Sequence, residues 1–167
     1  MKRLFATYLM AIAAMAAVNA DTLTVRNLFK DVPDGVFPYL SRNNRLDFID
    51  FIDSNMKAEV TNELGGKSIM TSLADDSLTI QMNEACSVDL LLLTAAQPVD
   101  SCSQVIVLVR TVGLQNQAQE SEVEYYSVKW RRLEQRPALL SADQKRLDEH
   151  IKESNILKIL QEKLNKD

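Results

Sequence analysis

The residue types able to do chemistry are few in this chain and widely spaced. There is one histidine, His150, and there are two cysteines, Cys86 and Cys102. A hydrolase working through a histidine base needs that histidine beside its nucleophile and oriented by a third group. His150 falls in the middle of a helical stretch and reads as half-buried or solvated filler. One histidine and two cysteines at sixteen-residue spacing form no zinc-ligand pattern. Asp47, Asp50 and Asp53 recur every third residue, but a hard-cation loop of the form D-x-[DN]-x-[DN]-G is absent. The row reads as a solvated helix face with Lys57 as a nearby partner. Gly66-Lys67-Ser68 has the ending of a phosphate-binding loop, yet Thr61 stands where that pattern needs glycine. The flanking order is also helix then strand, the reverse of a phosphate loop. Asp75-Asp76 reads as a turn. No catalytic residue, metal ligand or cofactor is assigned. Carboxylates are the one catalytic resource left, because a pair can meet in space from distant positions.

Recognition chemistry is better represented. The stretch Glu122–Leu133 reads as a last strand in which Tyr126, Val128 and Trp130 share one face and Tyr125 lies on the other with Lys129 and Arg131. Aromatic rings beside basic groups suit glycans or peptides. Tyr125, Tyr126, Trp130 and Arg131 are therefore the candidate binding residues. The competing reading is that the rings cap a core beneath a helix.

The first twenty residues read as a secretory signal. Lys2 and Arg3 give a positive start, Leu4 to Val18 is apolar, and Val18-Asn19-Ala20 is a small-residue cleavage site. No cysteine follows the cut, so a lipoprotein signal is missing, and no membrane segment is expected after cleavage. The mature chain, residues 21–167, is expected to be one soluble domain in the periplasm or outside the cell. Removing Lys2 and Arg3 leaves 17 basic and 23 acidic residues, a net charge near −6. That balance disfavours nucleic acid and anionic membrane surfaces as partners. Export permits a disulfide. However, Cys86 and Cys102 flank the apolar run Val88–Ala95, whose ends stand roughly 25 Å apart if it is one strand. Two free, mostly buried thiols are expected instead.

The elements that must position these groups follow from periodicity. Thr22–Val32 reads as a short helix burying Val25, Leu28, Phe29 and Val32, stopped by Pro33-Asp34-Gly35. Asn43–Lys57 reads as the central helix, with Leu46, Phe48, Ile49, Phe51, Ile52 and Met56 on a broad apolar arc and Asn43 or Asn44 as N-cap. Gly65-Gly66 is taken as the stop of a helical or turn segment. Strands are then expected between about residues 68 and 133. In the first, Ile69, Thr71 and Leu73 alternate. In the next, Leu78, Ile80 and Met82 point inward. Val88–Ala95 is nearly all apolar, and Val105–Val112 is apolar on both faces apart from Arg110. Gln97–Ser101 and Gly113–Gln119 read as loops. Short links favour an antiparallel meander. After Pro137, Ser141 and Gln144 have the form of a capping box, and a helix is expected over about 141–163 with a break near Ser154-Asn155. The expected fold is α+β: a meander of about five strands, N-terminal helices on one face, and a C-terminal helix. The other face of the two apolar strands must be covered by sheet curvature, the chain's tail or a second subunit.

The strings NNRLDFIDF, MKAEVTNELGGKS, PVDSC and EVEYYSVKW occur in that order. They resemble a family of small exported proteins from Bacteroides-like bacteria known only as a domain of unknown function. The resemblance covers roughly Leu28 to Leu133 and implies no chemistry. Two function classes stand. The favoured one is a non-catalytic exported binding or envelope-associated module for a glycan, peptide or envelope protein. The other is a hydrolase using a pair of carboxylates.

Overall fold

The computed structural model describes residues 23–114 and 119–151. It contains α1 (Val25–Lys30), α2 (Arg42–Asp53) and six strands: β1 (Glu59–Thr61), β2 (Lys67–Leu73), β3 (Ser77–Asn83), β4 (Cys86–Val99), β5 (Cys102–Val112) and β6 (Glu120–Ser127). A further helix, α3, occupies residues 141–151 as far as the description extends. The strands form one antiparallel sheet in the order β1-β2-β3-β4-β5-β6, so each strand pairs with its neighbours in the chain. The α+β class and the meander match the sequence expectation. The proposed cleavage site and the break near Ser154-Asn155 lie outside the described residues, as does part of the Gly113–Gln119 loop.

Side-chain alternation divides β4 and β5 into two apolar faces. Val88, Leu90, Leu92, Ile106 and Leu108 pack toward α1 and α2 with Phe29, Phe48, Ile49, Leu78 and Ile80. Leu91, Leu93, Val105, Val107, Val109 and Tyr125 form a second cluster on the opposite face, closed by Leu139 and Leu147. The chain's tail is therefore what covers the far face. Residues 138–140 add to β4 where β3 has ended: Ala96 N donates to Ala138 O at 2.7 Å and Leu140 N to Thr94 O at 2.9 Å. Asp143 accepts from Thr94 N at 2.7 Å, which ties the start of α3 to the same strand.

Several local expectations change. The N-cap of α2 is Ser41, in a capping box with Asn44 at N3. The central helix ends at Ser54, leaving Met56 53% exposed, and Lys57 begins the approach to a strand that periodicity does not reveal. Lys57 pairs with Glu59 and not with the acidic ridge. Gly65 and Gly66 close the β1–β2 hairpin, the turn alternative of the expectation and not the helical one. Asn62 organises that turn by accepting from Leu64 N at 3.0 Å and Gly66 N at 3.1 Å, and Gly65 takes φ +77°. In β2 the alternation of Ile69, Thr71 and Leu73 is broken by a register shift after Met70: Ser68 and Met70 are buried, and Leu73 packs partly buried against the core. The Gln97–Ser101 loop shrinks to Asp100-Ser101, both at positive φ, the geometry of a type I′ hairpin turn. Helix α3 begins at residue 141, so Ser141 lies inside it rather than before it.

Arg45 is a core position that the apolar pattern does not mark. It is 2% exposed. Its Nη1 donates to Leu40 O at 2.8 Å, and its Nη2 donates to Val32 O at 3.1 Å and Asp34 Oδ1 at 2.9 Å. One buried guanidinium thus shapes the whole α1–α2 connection.

Candidate functional site

The structure does not gather the four candidate binding residues onto one surface. β6 ends at Ser127, and the chain reverses through Trp130 at φ +61°, so that Arg132 bridges back to Tyr126. Tyr125 and Tyr126 are both buried, on opposite faces of the sheet. The Trp130 ring packs against Tyr126 with centroids 5.6 Å apart, and its Nε1 donates to Leu28 O at 3.1 Å. Its remaining surface lines a shallow depression with Leu23, Lys30, Asp31 and Val128. Arg131 is exposed but forked onto Asp100, with Nη2 2.7 Å and Nε 3.2 Å from the two carboxylate oxygens. Sequence alternation missed this arrangement because a positive-φ reversal breaks the strand period.

A more enclosed cleft lies at the other end of the sheet. The α1–α2 connection forms one wall, with Val36, Phe37, Pro38 and Tyr39; the ends of β3, β4 and β5 form the other, with Met82, Cys86, Val88 and Arg110. The volume is about 370 Å³. Proline and the buried Phe37 ring stiffen the first wall, and the Arg45 bonds hold it against the sheet. Arg110 opposes Val88 across the β4–β5 ladder and is the one cation among the described residues that line the cleft. Its Nη1 stands 3.6 Å from Glu122 and 3.9 Å from Glu124, well beyond the 2.7–2.9 Å typical of charge-assisted bonds. Glu124 is engaged more closely by Arg132, at 2.6 Å. Cys86 is half-buried, and desolvation pushes its thiol above the ordinary range while Arg110 pulls the other way.

A second cleft, of about 350 Å³, is polar and lies on the far face between β3, β4 and α3. Asp89, 7% exposed, accepts from Thr79 Oγ1 at 2.6 Å, and His150 Nε2 lies 3.2 Å from its other oxygen. Glu149 and Ser77 line the same space. Arg146 leaves toward Asp76, which it holds below the usual carboxylate range. His150 is thus a tethered group and not filler. Each cleft had one signal in the sequence: Arg110 and Asp89 are the single charges in otherwise apolar strand runs, and such charges need a partner or a purpose. No group of acids, histidine and cysteine able to hold a metal ion occurs among the described residues.

The two cysteines sit at opposite ends of the β4–β5 hairpin, since Cys86 opposes Val112 while Cys102 opposes Val99. Both are free and half-buried.

The fold and clefts define a single-sheet α+β protein with helices on both faces and recesses at the sheet's end and on its far face. The chain belongs to the family described as "Protein of unknown function (DUF3256)", whose model matches residues 16–163 and so includes the tail that covers the far face. A solved domain of an uncharacterized protein from Porphyromonas gingivalis is similar in fold, with a TM-score of 0.50 at 22% identity. The match covers 67% of this chain and 57% of that one. No protein of curated function matches the sequence. Among the described residues, no helix is long and apolar enough to cross a membrane.

Proposed function

We propose that this protein is a non-catalytic binding or envelope-associated module, exported from a Bacteroides-like bacterium. Export rests on the charged, apolar and small-residue order of the first twenty positions. On this reading the native protein begins at Asp21. Mass spectrometry of material from the source organism tests it, and a mature species retaining Met1 overturns it.

The binding reading rests on one observation, the cleft between the Val36–Tyr39 wall and the ends of β3, β4 and β5. Ligand sites are typically concave, apolar and furnished with a few polar groups. This cleft has that composition, with Arg110 as its charged group. The ligand is a peptide, a glycan or an envelope protein, and Trp130 and Arg131 keep surface to offer it outside the cleft.

Cys86 supplies the test. Its alkylation by iodoacetamide is followed by mass spectrometry with a protein digest and, separately, a peptidoglycan digest as probes. One of the two is expected to slow Cys86 and leave Cys102, at the far end of the same hairpin, unchanged. Equal rates with and without both probes overturn the reading.

The carboxylate hydrolase remains as a second reading because Asp89 and Glu149 share the polar cleft. Turnover of an added substrate that is abolished by Asp89→Asn or Glu149→Gln would establish it.

A further inference from the structure

The composition of the end cleft narrows the ligand beyond "a peptide or glycan". We infer that it accepts the C-terminal residue of a peptide, with the apolar side chain between Phe37 and Val88 and the carboxylate on Arg110. The inference rests on the binding reading above and adds the ligand's chemistry.

Three observations carry it. First, one wall is apolar and aromatic, with Val36, Phe37, Pro38 and Tyr39, and the sheet wall adds Met82 and Val88. Second, Arg110, the one cation among the described lining residues, meets its acidic neighbours only at long range. The Arg110 guanidinium has only the long contacts to Glu122 and Glu124, at 3.6 and 3.9 Å. A carboxylate meeting its planar fork forms two parallel short bonds, which neither glutamate provides. Third, Asn83 lies on the same wall and uses its Oδ1 to accept from Ala85 N at 2.8 Å, leaving its amide N–H₂ as a donor for a peptide carbonyl. Together these supply an apolar slot, an anion fork and a side-chain amide donor for the peptide backbone, a set able to capture a chain terminus. A volume of about 370 Å³ is suited to one or two residues rather than a long extended segment.

The probes are acetyl-alanyl-phenylalanine as the free acid, the same compound as its C-terminal amide, and decanoate. Calorimetry measures affinity, and Cys86 alkylation reports occupancy, with Cys102 as internal control. The acid is expected to bind about tenfold or more tighter than the amide, as the loss of a charge-assisted pair requires. It should slow Cys86 alkylation several-fold. Arg110→Leu should abolish the preference for the acid, and Arg110→Lys, which keeps charge without the fork, should fall between. Both variants should keep the parent melting temperature within a few degrees, since the side chain is 31% exposed and its contacts are long. If acid and amide bind equally, the carboxylate assignment fails while the cleft stands as a binding site. Decanoate binding more tightly than the peptide acid overturns the peptide assignment in favour of a lipid acid. No binding of either peptide form overturns the inference, with the digest experiment separately deciding the binding reading.

Discussion

Replacing Phe48 with alanine is expected to lower stability by about 3–5 kcal/mol, the cost of emptying a fully buried aromatic site. Phe48 is 0% exposed on the face of α2 that meets the sheet, and the cluster around it includes Val25 and Phe29 from α1 and Leu78 and Ile80 from β3. Asp50, one residue beyond Ile49 and on the exposed ridge, gives the contrast: Asp50→Ala should change stability by about half a kcal/mol or less. Urea melts of the two variants decide the point. Equal midpoints would mean that α2 does not present the face described.

Arg45→Leu is expected to cost about 2–4 kcal/mol, for a different reason. Leucine replaces much of the volume, but Leu40 O and Val32 O lose their buried donor, and a buried acceptor left unmet is expensive. The acidic partner contributes little to this figure, because the Asp34 side chain is 84% exposed and regains water. Asp34→Asn should therefore be nearly neutral. The Arg45 variant has a second, local consequence. Its bonds anchor the connection that forms one wall of the end cleft, so Cys86 alkylation should accelerate in Arg45→Leu below its melting range. An unchanged melting temperature together with an unchanged Cys86 rate would show that the buried arginine holds neither the core nor the wall.

The sequence made the fold class legible where one period dominated. Phe48 and Ile49 in α2, Leu78, Ile80 and Met82 in β3, and the double-sided apolar runs of β4 and β5 all carry a clean signal and occupy the positions it implies. Legibility failed where a few backbone dihedrals decided the outcome. Three-residue β1 is too short to show alternation, so the hairpin around Gly65 reads in the sequence as the stop of either a helical or a turn segment. A bulge between Met70 and Ser72 shifts the phase of β2, so that Ser68 and Met70 are buried ahead of it and Leu73 turns to the core beyond it. Positive φ at Trp130 ended β6 early and separated the expected aromatic face into two buried tyrosines, a half-covered indole and an arginine occupied by a turn aspartate. The clefts were less visible still, because each joins residues about fifty or more positions apart. The only sequence marks of them were Arg110 and Asp89, charges where the pattern demanded none.

The covering of the second face by the tail has a consequence for biosynthesis. Every strand pairs with its chain neighbour, so the sheet can zip up hairpin by hairpin as the polypeptide emerges, with little loop-closure cost. Residues 138–140 break that locality by returning more than forty positions to β4. Until they emerge, Leu91, Leu93, Val105, Val107 and Val109 form a bare apolar sheet face on an otherwise assembled domain. Nascent chains lacking the last thirty or so residues are thus the aggregation-prone species, and a holdase would act on this protein late in its synthesis rather than early.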